Sequence, residues 1–531
     1  MITKEEFGQW IETQTFKEKF YKFVQENQFE FEDYASFTAD NWIDKLGSAG
    51  CAIYIQLNPK KTPLELLLNE FSAEIKTDFS VVDKLANNVF EEVVDRDVCM
   101  RGIANEILRR WLLRDSELDR KDIDRYIGLQ APSGGGKSKM MDYTGQIKGD
   151  IMDHADVAEV YMDVRSQLKL GGELTTDMRE ILNGEVAKLK KMMNESVYIP
   201  ITFGGNTEVW RSEDPEQAIS IRILHSYFID KTKLSQSLSA DSFYSRLRRV
   251  GKFSIDASLA IIREHSKKES IFLLFDEIAK KGNAEQVTNC LRCVSPMMSK
   301  SLRDCCSRNH VIISSLEVSS ITKCASEAGR HIHFVPLNRL SVEASLGLFW
   351  EYTKFAYVKH LIVTVGGHPR CLEALFGILK QYSNELGVWN YEMLFNKLLS
   401  GAAEHAIFYA YLCIKDDVRA ALLRTTVPMD DKIVHNRTYE DSVQRALYLN
   451  SFSDEEIKSR SFVPIISPFA LAIFASRLLS TEYKGSLLHR IGETLYKLTE
   501  FGSTFKIAHG LWKTLIRLLY QSKHRVKAAL I

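Results

Sequence analysis

The 531-residue sequence has no excess of either charge: 69 Lys and Arg balance 69 Asp and Glu. A neutral chain has no global field to draw it to nucleic acid or an anionic membrane, so such binding would need a local patch. There is also no uncharged run of the ~20 residues that a membrane-spanning helix requires. The nearest approach, Phe462 to Ser476, is shorter and carries Pro464 and Pro468, which suits a buried strand-turn-helix better. The opening MITKEEFGQW has neither a basic n-region nor an apolar h-region, so no secretory signal is expected. The cysteines are few, scattered and odd in number, nine in all. That argues for reduced thiols in an intracellular compartment, cytoplasmic or nuclear, and against a disulfide framework. A soluble chain without membrane insertion is expected, and its length suggests about three domains at roughly 150 residues each.

What the chain does have is the stretch YIGLQAPSGGGKSKMM, from Tyr126 to Met141. A phosphate-binding loop asks for G-x-x-x-x-G-K-[ST] between a strand and a helix. Here YIGLQ reads as the strand, and Ala131, Pro132, Ser133, Gly134, Gly135, Gly136, Lys137 and Ser138 as the loop. The glycines can take positive φ and turn backbone N–H groups inward onto phosphate oxygens. Lys137 would neutralise the β- and γ-phosphates, Ser138 would hold Mg²⁺, and Lys139 lies in the first turn of a helix whose positive end faces the anion. Ala131 stands where the first glycine is usual, which is tolerable if its φ is negative. The plain alternative is a glycine-rich turn.

A buried strand ending in acid should accompany such a loop, and ESIFLLFDEIAK supplies one. Ile271 to Phe275 is continuously apolar, as in a central parallel strand covered on both faces. Asp276 would hold Mg²⁺ through water, and Glu277 would polarise the attacking water. Otherwise, the two carboxylates only suit the positive end of a following helix. Val197 to Phe203 and His310 to Ser315 read as two more strands of the same sheet. The second ends in Ser314 and Ser315, where NTPases with an extra strand carry a polar sensor of the γ-phosphate. In LIVTVGGHPRCLEALFGIL, Gly366 and Gly367 predict a turn and Pro369 a helix start, with Arg370 displayed near it. That arginine would fork onto the γ-phosphate, or be a surface residue beside a cap.

In this order, SGGGKS, VYIPITFGGNT, AISIRILHSYF, FLLFDEI, VIISSLE, VPLNRLS and GGHPRCLEAL resemble the P-loop NTPase module of Crinkler and retrotransposon-hot-spot (RHS) proteins. That family stands near the AAA+ and STAND NTPases. The resemblance covers about Arg96 to Glu385. It implies a three-layer α/β core with an additional strand and a catalytic glutamate, a helical lid, and a following winged-helix-like region. Residue by residue, it gives Lys137, Ser138, Asp276, Glu277 and Arg370 the roles already argued. It also implies an effector or selfish-element-related protein, such as is delivered into a host cell. The N-terminus does not resemble the ubiquitin-like header of many Crinklers. A C-terminal nuclease would need acidic residues on a strand, and only Asp416 or Asp417 with Asp430, Asp431 and Lys432 loosely suggest one.

The flanks predict their own domains. Phe7, Trp10, Phe16, Phe20, Tyr21 and Phe23 are spaced to fill a small helical core, and SFTADNWIDKLGSAGCAIYIQLN resembles the end of a SAM domain, a fold that mediates protein association. Lys60 to Leu118 reads as helices, with Arg96 or Arg101 near the nucleotide base or on a solvated face. Residues 472–531 carry ten Lys or Arg against three Asp or Glu. This is a modest basic face that could touch nucleic acid but is more often solvated. Cys290 and Cys293 form C-x₂-C with Cys305 and Cys306 downstream, but a helical setting favours buried free thiols over Zn²⁺.

The expected organisation is a SAM-like domain at 1–60, a helical linker at 61–120, the NTPase core with its lid at 121–385, and a helical or winged-helix-like domain at 386–531. The expected activity is slow hydrolysis of Mg²⁺-ATP, with GTP the alternative, switching oligomeric or partner-bound states. A neighbouring subunit would supply Arg303 or Arg339 as an arginine finger. The rivals are a nucleotide-stabilised scaffold without turnover and a DNA-acting nuclease or transposition factor.

Overall fold

Five apolar segments form one open sheet in the computed structural model: β1 (Tyr126–Gln130), β2 (Val197–Thr202), β3 (Ile271–Asp276), β4 (Asn309–Ser314) and β5 (Ile332–Pro336). The structure describes residues 4–403, apart from scattered positions between 15 and 92 and the segments 132–133, 171–173, 204–213, 230–243, 248–252, 279–283, 304–308 and 315–317. Beyond 403 it describes 427–428, 432–434, 437–438 and 461–462.

The strand order is β2-β3-β4-β1-β5 and every neighbouring pair is parallel. Parallel strands need crossovers, and these place helices on both faces. In chain order the helices include α1 (Lys4–Glu12), α2 (Lys17–Asn27), α3 (Pro63–Glu70), α4 (Asp97–Leu112), α5 (Lys137–Ile147), α6 (Val157–Gln167), α7 (Thr176–Asn194), α8 (Pro215–Phe228), α9 (Ile255–Ser266), α10 (Ala284–Arg303), α11 (Val318–Glu327), α12 (Val342–Leu348), α13 (Ala356–Val365), α14 (Pro369–Gln381) and α15 (Tyr391–Ala403).

The two-residue period of the strands divides the core in two. Ile199, Ile201, Leu273, Phe275, Val311 and Ile313 pack with α8, α9, α10 and α11. Ile127, Leu129, Tyr198, Phe272, Leu274 and Ile312 pack with α4, α5 and α7. On the second face Tyr198, Phe272 and His310 stand in register on three adjacent strands. Their rings stack at 4.5 and 4.3 Å between centroids. The expected α/β class is therefore observed, and β4 lies between the strand before the glycine-rich loop and the strand ending in Asp276.

The N-terminal aromatic residues form a separate small core in which Phe7, Phe20, Phe23 and Trp42 are buried, with Trp10 and Phe16 packed against them. Tyr21 departs from the expected packing: it is 43% exposed, and its hydroxyl donates to Glu12 at 2.8 Å. Among its described residues the linker is less helical than expected. Between α3 and α4 the described residues form turns and bends, with an isolated bridge from Ile75 to Ile229. The described residues past α15 form two short antiparallel pairs, 427–428 with 461–462 and 432–434 with 437–438. The basic C-terminal face, Cys305, Cys306 and Asp416, Asp417, Asp430 and Asp431 lie outside the described residues, whereas Lys432 opens one of the short strands. Cys290 is buried and Cys293 half-buried on α10. Among the described residues, no helix is long and apolar enough to cross a membrane.

Candidate functional site

The C-terminal ends of β1, β3 and β4 meet because the sheet register puts them level. Thr202 pairs with Asp276, Phe275 with Ile313, and Ser314 with Leu129. Loops leaving this edge of a parallel sheet are where ligands bind in open α/β folds. The glycine-rich loop leaves β1 here and runs into α5, whose N-cap is Gly136 at φ 92°. Gly134 also takes a positive φ, 73°, whereas Ala131 does not. The alanine in place of the usual first glycine is thus accommodated without strain. Ser133 lies outside the described residues.

Lys137 turns back beneath its own loop and donates from Nζ to the Ala131 carbonyl at 2.7 Å. Burial lowers its pKa to about 8, against the opposing pull of Asp276 and Glu277. Ser138 Oγ donates to Asp276 Oδ2 at 2.6 Å. The other carboxylate oxygen, Oδ1, accepts a short hydrogen bond from the Ser314 hydroxyl. Ser314 in turn accepts from the Glu277 backbone N–H at 3.1 Å. Burial raises the pKa of Asp276 while the two serine hydrogen bonds oppose the shift. Glu277 is half-buried and adopts φ 56°, in the left-handed region that non-glycine residues seldom occupy. Lys139 does not share the cradle in this state, since its ammonium donates to the Phe90 carbonyl at 2.5 Å.

The Gly366–Gly367 turn closes over the loop. Both glycines have positive φ, and a Cβ on Gly367 would stand 1.9 Å from the Leu340 carbonyl oxygen. His368 caps α14, accepting from the Cys371 N–H, and Pro369 occupies its first turn as expected. Arg370 donates its backbone N–H to the Gly134 carbonyl at 3.3 Å. A Cβ on Gly134 would come within 2.9 Å of both Arg370 Cβ and His368 Cε1. The lid arginine and the loop therefore touch directly. Arg339 reaches the Gly366 carbonyl at 3.4 Å, bracing the same turn. Arg303 ends α10, and its side chain lies outside the described residues.

Asp95 and His368 join the site with no motif to announce them, and Arg96 takes a definite place in it. Asp95, at φ 56°, accepts from the Ser341 N–H at 2.5 Å. Arg96 is buried and donates to the carbonyls of Asn338 and Gly135, so of the two arginines considered it is the one at the loop, whereas Arg101 is exposed. His368 is buried against Gly134; its position immediately before Pro369 was the available signal for a cap. No protein-family model and no curated protein matches this chain.

Proposed function

We propose that the chain is a Mg²⁺-dependent P-loop ATPase of the Crinkler and RHS type, whose γ-phosphate loss switches oligomeric or partner-bound states. One observation carries the reading: Ser138 and Asp276, far apart in sequence, share a hydrogen bond at the strand ends beside Lys137 and under Arg370. The sheet order, with a strand between the loop strand and the Asp276 strand, agrees with the additional-strand arrangement.

The donor set fits Mg²⁺. Among the described residues no cage of three or more His, Cys, Asp or Glu exists, and Mg²⁺ takes one or two protein oxygens and fills its shell with water and phosphate. Ser138 and Asp276 would hold it, and when bound it neutralises charge on the β- and γ-phosphates. Loop N–H groups and the N-terminus of α5 receive the phosphates. Lys137 exchanges the Ala131 carbonyl for phosphate oxygens. Glu277 orients water and takes its proton as the water oxygen bonds to the γ-phosphorus. The bond to the β–γ bridging oxygen then breaks, leaving ADP and phosphate. Arg370, already on the loop, senses the γ-phosphate and moves the lid. The N-terminal aromatic module would make the protein contacts of a SAM-like domain, and the basic C-terminal face would meet any nucleic acid.

ATP turnover by the full chain tests this. Glu277→Gln should lower Mg²⁺-dependent turnover by at least about a hundredfold while still retaining ATP, and Lys137→Ala should lose both turnover and nucleotide. Tight binding without turnover, equal in wild type and Glu277→Gln, would instead establish the scaffold.

A further inference from the structure

The serine at the tip of β4 stands where a γ-phosphate sensor is expected, but its hydrogen bonds point elsewhere. Ser314 is fully buried. A hydroxyl has a single proton to donate, and that of Ser314 goes to Asp276 Oδ1. Donation to a carboxylate is charge-assisted and stronger than to a neutral acceptor. Redirecting it to a phosphate would strip a buried carboxylate oxygen of its donor. The acceptor side of the same hydroxyl is occupied by the Glu277 N–H at 3.1 Å.

Glu277 needs such a hold. A left-handed backbone costs a residue bearing a Cβ roughly 1–2 kcal/mol, yet Glu277 sits at φ 56°. Backbone conformation sets where a side chain leaves the chain, so whatever fixes this φ also fixes where the Glu277 carboxylate starts from. The hydrogen bonds form one continuous chain: Ser138 and Ser314 both donate to Asp276, and the Glu277 amide donates to Ser314.

We propose that Ser314 is a positioning residue, which holds Glu277 in its left-handed conformation and ties it to Asp276 instead of reading the γ-phosphate directly. This rests on the ATPase reading, in which Glu277 orients the water. The hydrogen-bond chain then makes the geometry of the base depend on the same carboxylate that faces the cation.

The test uses the nucleotide-free full chain and the ATP-loaded chain, as wild type, Ser314→Ala and Ser314→Thr. Without nucleotide, Ser314→Ala should speed amide hydrogen exchange in the peptide spanning Asp276 to Ile278 about tenfold, the equivalent of one lost hydrogen bond. Its kcat should fall about tenfold or more, while ATP and ADP affinities shift together by less than about threefold. Ser314→Thr, which keeps the hydroxyl, should restore both exchange and kcat. In a Glu277→Gln background Ser314→Ala should add no further loss, because both act through the same carboxylate. Loss of ATP affinity with ADP affinity intact would overturn the proposal in favour of direct phosphate sensing. Wild-type exchange and kcat in Ser314→Ala would overturn it outright. If wild type shows no turnover that Lys137→Ala abolishes, the ATPase reading falls and takes the catalytic role of Ser314 with it. Faster exchange in Ser314→Ala would then still establish the hold on Glu277.

Discussion

Two buried aspartates keep opposite company. Asp124, just before β1, is fully buried between guanidinium groups: Arg110 Nε lies 3.1 Å from one carboxylate oxygen, and Arg330 Nη1 3.6 Å from the other. Those arginines continue to the Met298 carbonyl and the Ser295 hydroxyl on α10, so the cluster ties α4, α10 and the sheet together. Asp276 is 5% exposed and is met by the hydroxyls of Ser138 and Ser314. Among the described residues no cation forms an ion pair with it. Guanidinium groups close a carboxylate permanently, whereas hydroxyls satisfy its lone pairs and leave its charge for a cation to use. One carboxylate is thus closed by guanidinium groups and the other is met by hydroxyls; in the proposed function the second would hold the cation.

The largest expected effect is a reversal of what each one controls. Asp124→Asn should destabilise the fold by about 3–5 kcal/mol, since it leaves two buried guanidinium groups short of a counter-charge. Asp276→Asn should change stability by less than about 1 kcal/mol, because removing a charge that burial disfavours offsets the weakened hydrogen bonds. It should nevertheless cut Mg²⁺-dependent turnover at least about a hundredfold. Urea denaturation and ATP turnover of both variants check this; equal destabilisation would erase the distinction.

The cations differ in the same way. Arg110 and Arg330 sit on a carboxylate, while Lys137 donates to a backbone carbonyl and its pKa falls to about 8 on burial. A lysine whose folded pKa lies below its unfolded value of 10.5 binds fewer protons when folded. Stability of the nucleotide-free protein therefore rises with pH through the window from about 8 to 10.5, and the penalty is fully present below about 8. Its size is up to about 3 kcal/mol. The slope of denaturation free energy across this window should be smaller in Lys137→Met, and ATP binding near pH 9 should take up a proton measurable by calorimetry in two buffers.

Much of this was legible in the chain. Ile271 to Phe275 is a continuous apolar run because a central parallel strand is covered on both faces; YIGLQ and the β-rich stretch from Val197 were also read as strands, and all three form strands. β5 was not read as one. It is an edge strand with mixed burial, and His331 and His333 interrupt its apolar pattern. Lys137, Ser138, Asp276, Glu277 and Arg370 were singled out from local motifs whose spacing phosphate chemistry would dictate, and the fold brings them to one edge of the sheet. The left-handed Glu277, the engagement of Ser314 with it, Arg96 on Gly135 and Asp95 on Ser341 were invisible. They are contacts between segments distant in sequence, which neither periodicity nor a local motif encodes. Lys139 and Tyr21 show the converse, residues whose local pattern promised one partner and whose fold supplied another.

The smallest expected effect makes the sharpest comparison. Ser138→Ala removes one neutral donor from Asp276 and leaves Ser314 in place, so it should cost no more than about 1 kcal/mol of stability. Arg330→Met removes a charged donor from Asp124 and should cost several times as much. The functional order is the reverse: Ser138→Ala should raise the Mg²⁺ concentration needed for half-maximal turnover about tenfold or more, because half of the proposed cation-binding pair would be gone. Arg330→Met should leave that concentration unchanged wherever the protein stays folded. If Ser138→Ala instead unfolds the chain as readily as Asp124→Asn while its Mg²⁺ requirement stays fixed, the serines around Asp276 are braces. The free carboxylate charge would then be a by-product of packing and not the feature the site is built on.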